Sequence, residues 1–273
     1  MSVAVTTPSG RSAAARIGSG LRDWVPAAAV LVGFLVVWQL VVSIFQIKQF
    51  ILPGPIAIAE AWQEDLPALW AATTYTLSEI ITGLVLGVSA GLLVGVLTAR
   101  FATARESLMP FAIAANSVPI LAFAPVFNNW FGVANPLSKA MVAAVLCFFP
   151  VMINTVRGLT SVQPAALELM RSYAAGQLEV FRRVRVPNAL PFIFTALRLS
   201  TTLATIGAIV GEYFAAPRSS LGQYIATASG FLNFERSWAA IVFAAAIGIG
   251  LYVLVVALER LVMPWYGSRD EVT

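Results

Sequence analysis

Histidine is absent from the 273 residues, so imidazole acid–base catalysis and histidine metal ligation are closed to this chain. The single cysteine, Cys147, lies in an apolar run. It cannot close an internal disulfide and reads as small core filler. No Gly-x-x-x-x-Gly-Lys-Ser/Thr run occurs, so the chain is not expected to hydrolyse ATP itself. Among the carboxylates, Glu212 stands beside Tyr213 at the edge of an apolar run. Three roles are open to it: a cap, an ion-pair partner, or part of a translocation path. No buried carboxylate pair is legible, so an intramembrane enzyme lacks its groups.

The most distinctive polar interval is 168–191, ELMRSYAAGQLEVFRRVRVPNALP, set between two apolar blocks. It reads as two short helices. Pro164 suits the first turn of one and Gly176 its C-terminal stop. Leu167, Met170, Tyr173 and Ala174 share one face at helical spacing. Leu178, Phe181 and Val184 recur at three-residue steps on the second, which is expected to end before Pro187. Arg182, Arg183 and Arg185 gather where cations suit the helix dipole. Two readings follow: a cationic loop that only fixes topology, or a docking hairpin with an apolar stripe.

The elements that must hold this hairpin are membrane spans. Hydrophobic residues make up 59% and charged residues 11%, against about 45–50% and about 25% in soluble domains. An all-α integral membrane protein with six spans is expected, at roughly 24–47, 80–99, 108–126, 140–156, 191–211 and 238–258. The transmembrane domain covers 24–260, with an N-terminal tail at 1–23, read as disordered, and a C-terminal tail at 261–273. The first apolar run is too long for a cleaved leader, and no small-residue cleavage pattern follows it. The net charge of +4 is not a nucleic-acid signature, because the basic residues fall in loops.

Between spans one and two, Leu52-Pro53-Gly54-Pro55 is a non-helical turn, and 56–70 suits an amphipathic surface helix. In span two, Gly83, Gly87, Gly91 and Gly95 repeat every four residues and present a smooth face. That face serves either a tight contact within the fold or a dimer seam. Pro110, Pro119 and Pro125 break or kink span three. Irregular backbone at membrane depth persists only where protein or a water-filled cavity covers it. Asn116, Pro119, Phe123 and Pro125 are therefore the candidates for lining a pore. For Asn116 the alternative is capping or interhelical bonding, and for Phe123 packing. A short helix is expected at 223–229.

Six spans put both termini on one side. Thirteen Lys and Arg residues then share that side with the hairpin, and Lys48, Lys139, Arg218 and Arg236 lie opposite. This bias makes the termini and the hairpin cytoplasmic.

The hairpin also resembles the cytoplasmic loop of permease subunits of ATP-binding-cassette (ABC) importers, with its pattern Glu-Ala-Ala, three residues, Gly, nine residues, Ile-x-Leu-Pro. Anchored on Val184, Val186 and Pro187, the pattern's Glu falls on Glu168, its two Ala on Leu169 and Met170, and its Gly on Ala174. Gly176 would then break the helix two residues late. The likeness extends from Leu52-Pro53-Gly54-Pro55 through Pro119, the run from Ala124 to Gly132, Pro187, Pro191, Arg198 and Glu212 to Leu221-Gly222. This order is similar to the branch serving nitrate, sulfonate, taurine and related uptake. Glu79 departs from it, standing where that branch has Arg.

The resemblance implies a type I importer permease fold in the cell inner membrane. It implies that the hairpin is a coupling helix docking on an ABC ATPase dimer, through Glu168, Met170, Tyr173, Ala174, Gly176, Phe181 and Pro187. The chain itself would hold no cofactor, with ATP and Mg on the ATPase. It further implies a second permease copy, as a homodimer, and an extracytoplasmic solute-binding protein. A stand-alone secondary transporter or channel is the alternative. It would call for an inverted repeat or buried charges, and the spans read here contain almost no ionisable groups.

Overall fold

A computed structural model describes residues 13–214 and 220–265. Arg11, Arg218, Ser219 and Arg269, and most of the expected C-terminal tail, lie outside the described residues. Helices make up the secondary structure, and no strand occurs among the described residues. Five helices are long and apolar enough to span a membrane, and a bent pair makes a sixth crossing if counted as one.

Helix α1 (Ala13–Ile44) starts inside the segment expected to be disordered. Its Ala-rich beginning favours helix. Nearly all of its apolar stretch is exposed, as a lipid-facing helix requires. Gln39 and Trp38 help to hold it. The Gln39 Oε1 accepts from the Ile56 N–H at 3.2 Å, and Trp38 meets Trp238 edge-on at 5.3 Å.

Helix α2 (Pro55–Glu64) is shorter than the surface helix expected at 56–70. Asp65 closes it and opens α3 (Leu66–Arg100). Span two is thus one helix of 35 residues that begins well before residue 80. Helix α6 (Pro136–Thr160) carries Pro150 internally, and Asn135 caps it by accepting from the Leu137 N–H at 3.0 Å. Helix α9 (Val186–Phe214) and α11 (Phe234–Val262) complete the long set.

Helices α3, α6 and α9 form the packed centre, and the glycine ladder explains why. A Cβ at Gly83 would sit 2.6 Å from the Ala143 Cβ, and one at Gly95 would sit 2.8 Å from the Thr155 Cβ. At Gly87 it would run into the Ala144 carbonyl. The ladder therefore serves a close contact between α3 and α6 within the fold, not a dimer seam.

The third crossing is broken. Helix α4 (Ala102–Ala115) passes through Pro110 uninterrupted, so this proline does not end the helix. The chain then opens at 116–119, makes a 3-10 turn (Ile120–Phe123), and re-enters helix as α5 (Ala124–Phe131). The two halves bend by 81°. Pro125 sits in the first turn of α5, where its missing N–H costs nothing.

Candidate functional site

The hairpin consists of α7 (Pro164–Ser172), a tight link, and α8 (Gln177–Val180). The stop of α7 differs from the expectation. Tyr173 is its C-cap, and Ala174 takes the left-handed conformation with φ 51°. Its N–H donates to the Arg171 carbonyl at 2.9 Å, and the Ala175 N–H donates to Met170 at 3.0 Å. Ala174 thus occupies a backbone position that suits glycine. Gly176, with φ −68°, is instead the N-cap of α8. A Cβ there would meet nothing within 4 Å.

The second helix also departs from expectation, because it does not end before Pro187. Helix α8 runs through a π-helical turn (Phe181–Arg185) directly into α9, where Pro187 is the second residue. The wider turn is the physical reason. A proline in a helix strips one backbone bond and crowds the carbonyl four residues back, and a π turn makes room for this. The hairpin's second arm and span five are consequently one rod, 177–214.

Among the residues expected to dock, Glu168, Ala174 and Gly176 are exposed and Tyr173 is 75% exposed. Met170 and Pro187 are half-buried. Phe181 turns inward and packs against Ala99, Leu159 and Ala189. It anchors the hairpin to the spans and does not face out. Leu169 and Leu178, named from the sequence but not among the docking residues, are also well exposed. An open groove of about 590 Å³ is lined by Gly176, Leu178, Glu179, Arg182 and Arg183. Arg183 pairs with Glu179 at 3.3 Å, and Arg185 donates to the Leu159 carbonyl at 3.4 Å.

The pore candidates cluster at the break in the third crossing. Asn116 is the C-cap of α4, its N–H bonded to the Ala112 carbonyl at 3.0 Å. Pro119 precedes the 3-10 turn that Phe123 ends. Asn116, Pro119, Phe123 and Pro125 are all exposed. Neighbouring Phe127 and Asn128 are buried against the bundle, so α5 has one anchored face and one open face.

At the bundle end opposite the hairpin lies a polar cluster the sequence reading missed. The longer helices take in Glu79 on α3, Lys139 on α6 and Glu212 on α9. Their exposures are 0%, 1% and 0%. This corrects two expectations: the spans do hold ionisable groups, and a buried carboxylate pair does exist. Glu212 lies beside α10 (Leu221–Gly230), longer than the helix expected at 223–229. Its Oε1 accepts from the Thr76 hydroxyl at 2.7 Å, and its Oε2 accepts from the Gly222 N–H at 2.8 Å. The Thr76 hydroxyl oxygen also accepts from the Leu221 N–H at 3.0 Å. Of the three roles open to Glu212, capping is the one its geometry displays.

Nearby, Asp65 joins α2, α3, α10 and α11. It accepts from the Tyr224 hydroxyl at 2.6 Å and pairs with Arg236 at 3.2 Å. Burial, then the bond to Asp65, pushes the Tyr224 hydroxyl above its ordinary value.

Residues 83–266 match the family model described as "Binding-protein-dependent transport system inner membrane component". The riboflavin transport system permease protein RibX of Chloroflexus aurantiacus is 36% identical over 236 residues, 86% of this chain and 87% of that protein. The formylaminopyrimidine transport permease protein ThiX of Halalkalibacterium halodurans is 31% identical, covering 85% of this chain and 92% of that one. The taurine transport system permease protein TauC of Escherichia coli is 30% identical, covering 86% and 87%. Among solved structures, an amino acid ABC transporter aligns with a TM-score of 0.59 at 16% identity, over 72% of this chain and 95% of that chain. The methionine transporter MetNI aligns at 0.55 and 18%, with the same coverage. The chain belongs to the family of inner-membrane permease components of binding-protein-dependent ABC transport systems.

Proposed function

We propose that this chain forms the translocation path of an ATP-driven importer for a small solute that an extracytoplasmic binding protein delivers. The exposed hairpin carries the reading. It presents Leu169, Tyr173 and Leu178 outward while Phe181 fastens it to the spans. Apolar side chains on a helix exposed outside the membrane call for a partner groove. That partner is an ABC ATPase dimer, which holds ATP and Mg, and the chain itself is a non-catalytic transport subunit. Two copies of this permease flank the path, and both termini and the hairpin face the cytoplasm.

The continuous rod from Gln177 to Phe214 supports a coupling route. A shift of the docked hairpin tilts span five as one lever, favouring one side of an alternating-access equilibrium. Asn116, Pro119, Phe123 and Pro125 line the path at the broken crossing. The relatives' names suggest a solute of the riboflavin, formylaminopyrimidine or taurine kind, with selection made largely by the binding protein. The test is uptake into proteoliposomes holding the complex purified through this chain, offered each of these solutes with its binding protein. Uptake that requires ATP on the ATPase side supports the proposal. Uptake of the same solute by this chain alone, without ATP, overturns it.

A further inference from the structure

The cluster of Glu79, Lys139 and Glu212 has an imbalance that its hydrogen bonds expose. Lys139 donates from its Nζ to the Val133 carbonyl and makes no hydrogen bond to Glu79. Both oxygens of Glu212 are committed, to Thr76 and Gly222. Both oxygens of Glu79 are buried and have no hydrogen-bond partner among the described residues, and the same holds for the hydroxyl of Tyr75, one turn away on α3. Geometry places Glu79 with the other two: Thr76, which bonds Glu212, lies three residues before Glu79 on the same face of α3, and a Cβ at Gly211, the neighbour of Glu212, would meet the Lys139 side chain at 3.5 Å.

Two ionised carboxylates are acceptors only, and neither can donate to the other. With both ionised, the cluster therefore lacks a donor between two acceptors. Its charge points the same way. Among the described residues, two carboxylates and one ammonium leave an uncompensated negative charge inside a bundle that lies in a membrane, which is costly. Among the described residues, Tyr75, Lys139, Glu79 and Glu212 are the titratable groups that meet here. Helix α10 and the turn before α6 contribute only backbone, through Leu221, Gly222 and Val133.

We propose that Glu79 and Glu212 bind one proton between them, making with Lys139 an electroneutral knot that clamps the N-terminus of α10 to α3, α6 and α9. The proton turns Glu79 into the donor that the pair lacks. The knot is a binding site for a proton, and the proton leaves Glu212 free to cap α10.

The test is infrared spectroscopy of the full chain in its purified membrane complex, reconstituted in bilayers at neutral pH. A carboxylic-acid C=O band is expected in the native protein. Glu79→Gln should abolish that band while keeping the melting temperature, because its amide N–H donates to Glu212 in the proton's place. Lys139→Met should enlarge the band, since removing the cation draws a second proton into the cluster. Absence of an acid band from the native protein would overturn the proposal. So would a band that survives in both Glu79→Gln and Glu212→Gln, because it would then arise elsewhere.

Discussion

At the scale of single residues, the informative positions are those where side chain and backbone disagree. Ala174 sits at φ 51°, a conformation that costs an L-residue roughly 1–2 kcal/mol. Ala174→Gly should therefore stabilise the hairpin by about 1 kcal/mol, read as a rise in melting temperature. Gly176→Ala should be tolerated within about 1 kcal/mol, because its backbone is ordinary. The sequence reading had these reversed: a glycine is a visible stop signal, whereas an alanine in a left-handed cap is silent. Only the spacing of the family pattern placed Ala174 at the right position. Thr76 is the second such residue. Thr76→Val removes a hydroxyl that bonds both Glu212 and the Leu221 N–H, leaving buried groups unpaired at about 1–3 kcal/mol. A thermal shift assay in detergent checks it. An unchanged melting temperature would show that the α10 clamp is not structural.

At the scale of elements, the seam between α3 and α6 depends on glycine. Gly87→Val forces a side chain into the Ala144 backbone, and overpacking of this kind costs about 1–3 kcal/mol. Loss of folded protein on size exclusion is the expected readout. The spans were legible because twenty apolar residues leave few alternatives, and the four-residue glycine period announced a close helix contact. Their ends were not legible. Helix α3 reaches back to Leu66 through Thr73, Thr74, Thr76 and Ser78, residues that read as loop. In the helix, each of Thr73, Thr74 and Ser78 returns its hydroxyl to a carbonyl three or four residues earlier. The same misjudged boundary hid the charged knot. Glu79 and Lys139 fell just outside the spans as read, and only tertiary packing brings them to Glu212. At that end the Tyr224 hydroxyl donates to Asp65, and burial together with this bond raises the hydroxyl's pKa. The bond's contribution is fully present below about pH 10, the ordinary tyrosine value, and is lost as pH rises through the folded value. The melting temperature of Tyr224→Phe relative to the native chain should thus show a pH-independent deficit from neutrality up to that point.

At the scale of the whole molecule, the two ends of the bundle are differently made. One end is knitted by buried polar bonds around α10. The other ends in a hairpin with exposed apolar residues, joined to the bundle through Phe181 and one unbroken rod. On the proposed reading, the hairpin receives force from an ATPase and the rod carries it to the bundle. The most direct measurement is affinity purification of the tagged chain from its own membranes, in native form and as Tyr173→Asp/Leu178→Asp, with ATP hydrolysis and mass spectrometry of what accompanies it. An ATPase carrying a Walker A motif should accompany the native chain. It should be lost, with the hydrolysis, from the doubly substituted chain, whose membrane insertion is unchanged. A substituted chain that retains the ATPase and full hydrolysis, or a native chain that purifies alone and moves solute without ATP, would contradict the importer reading.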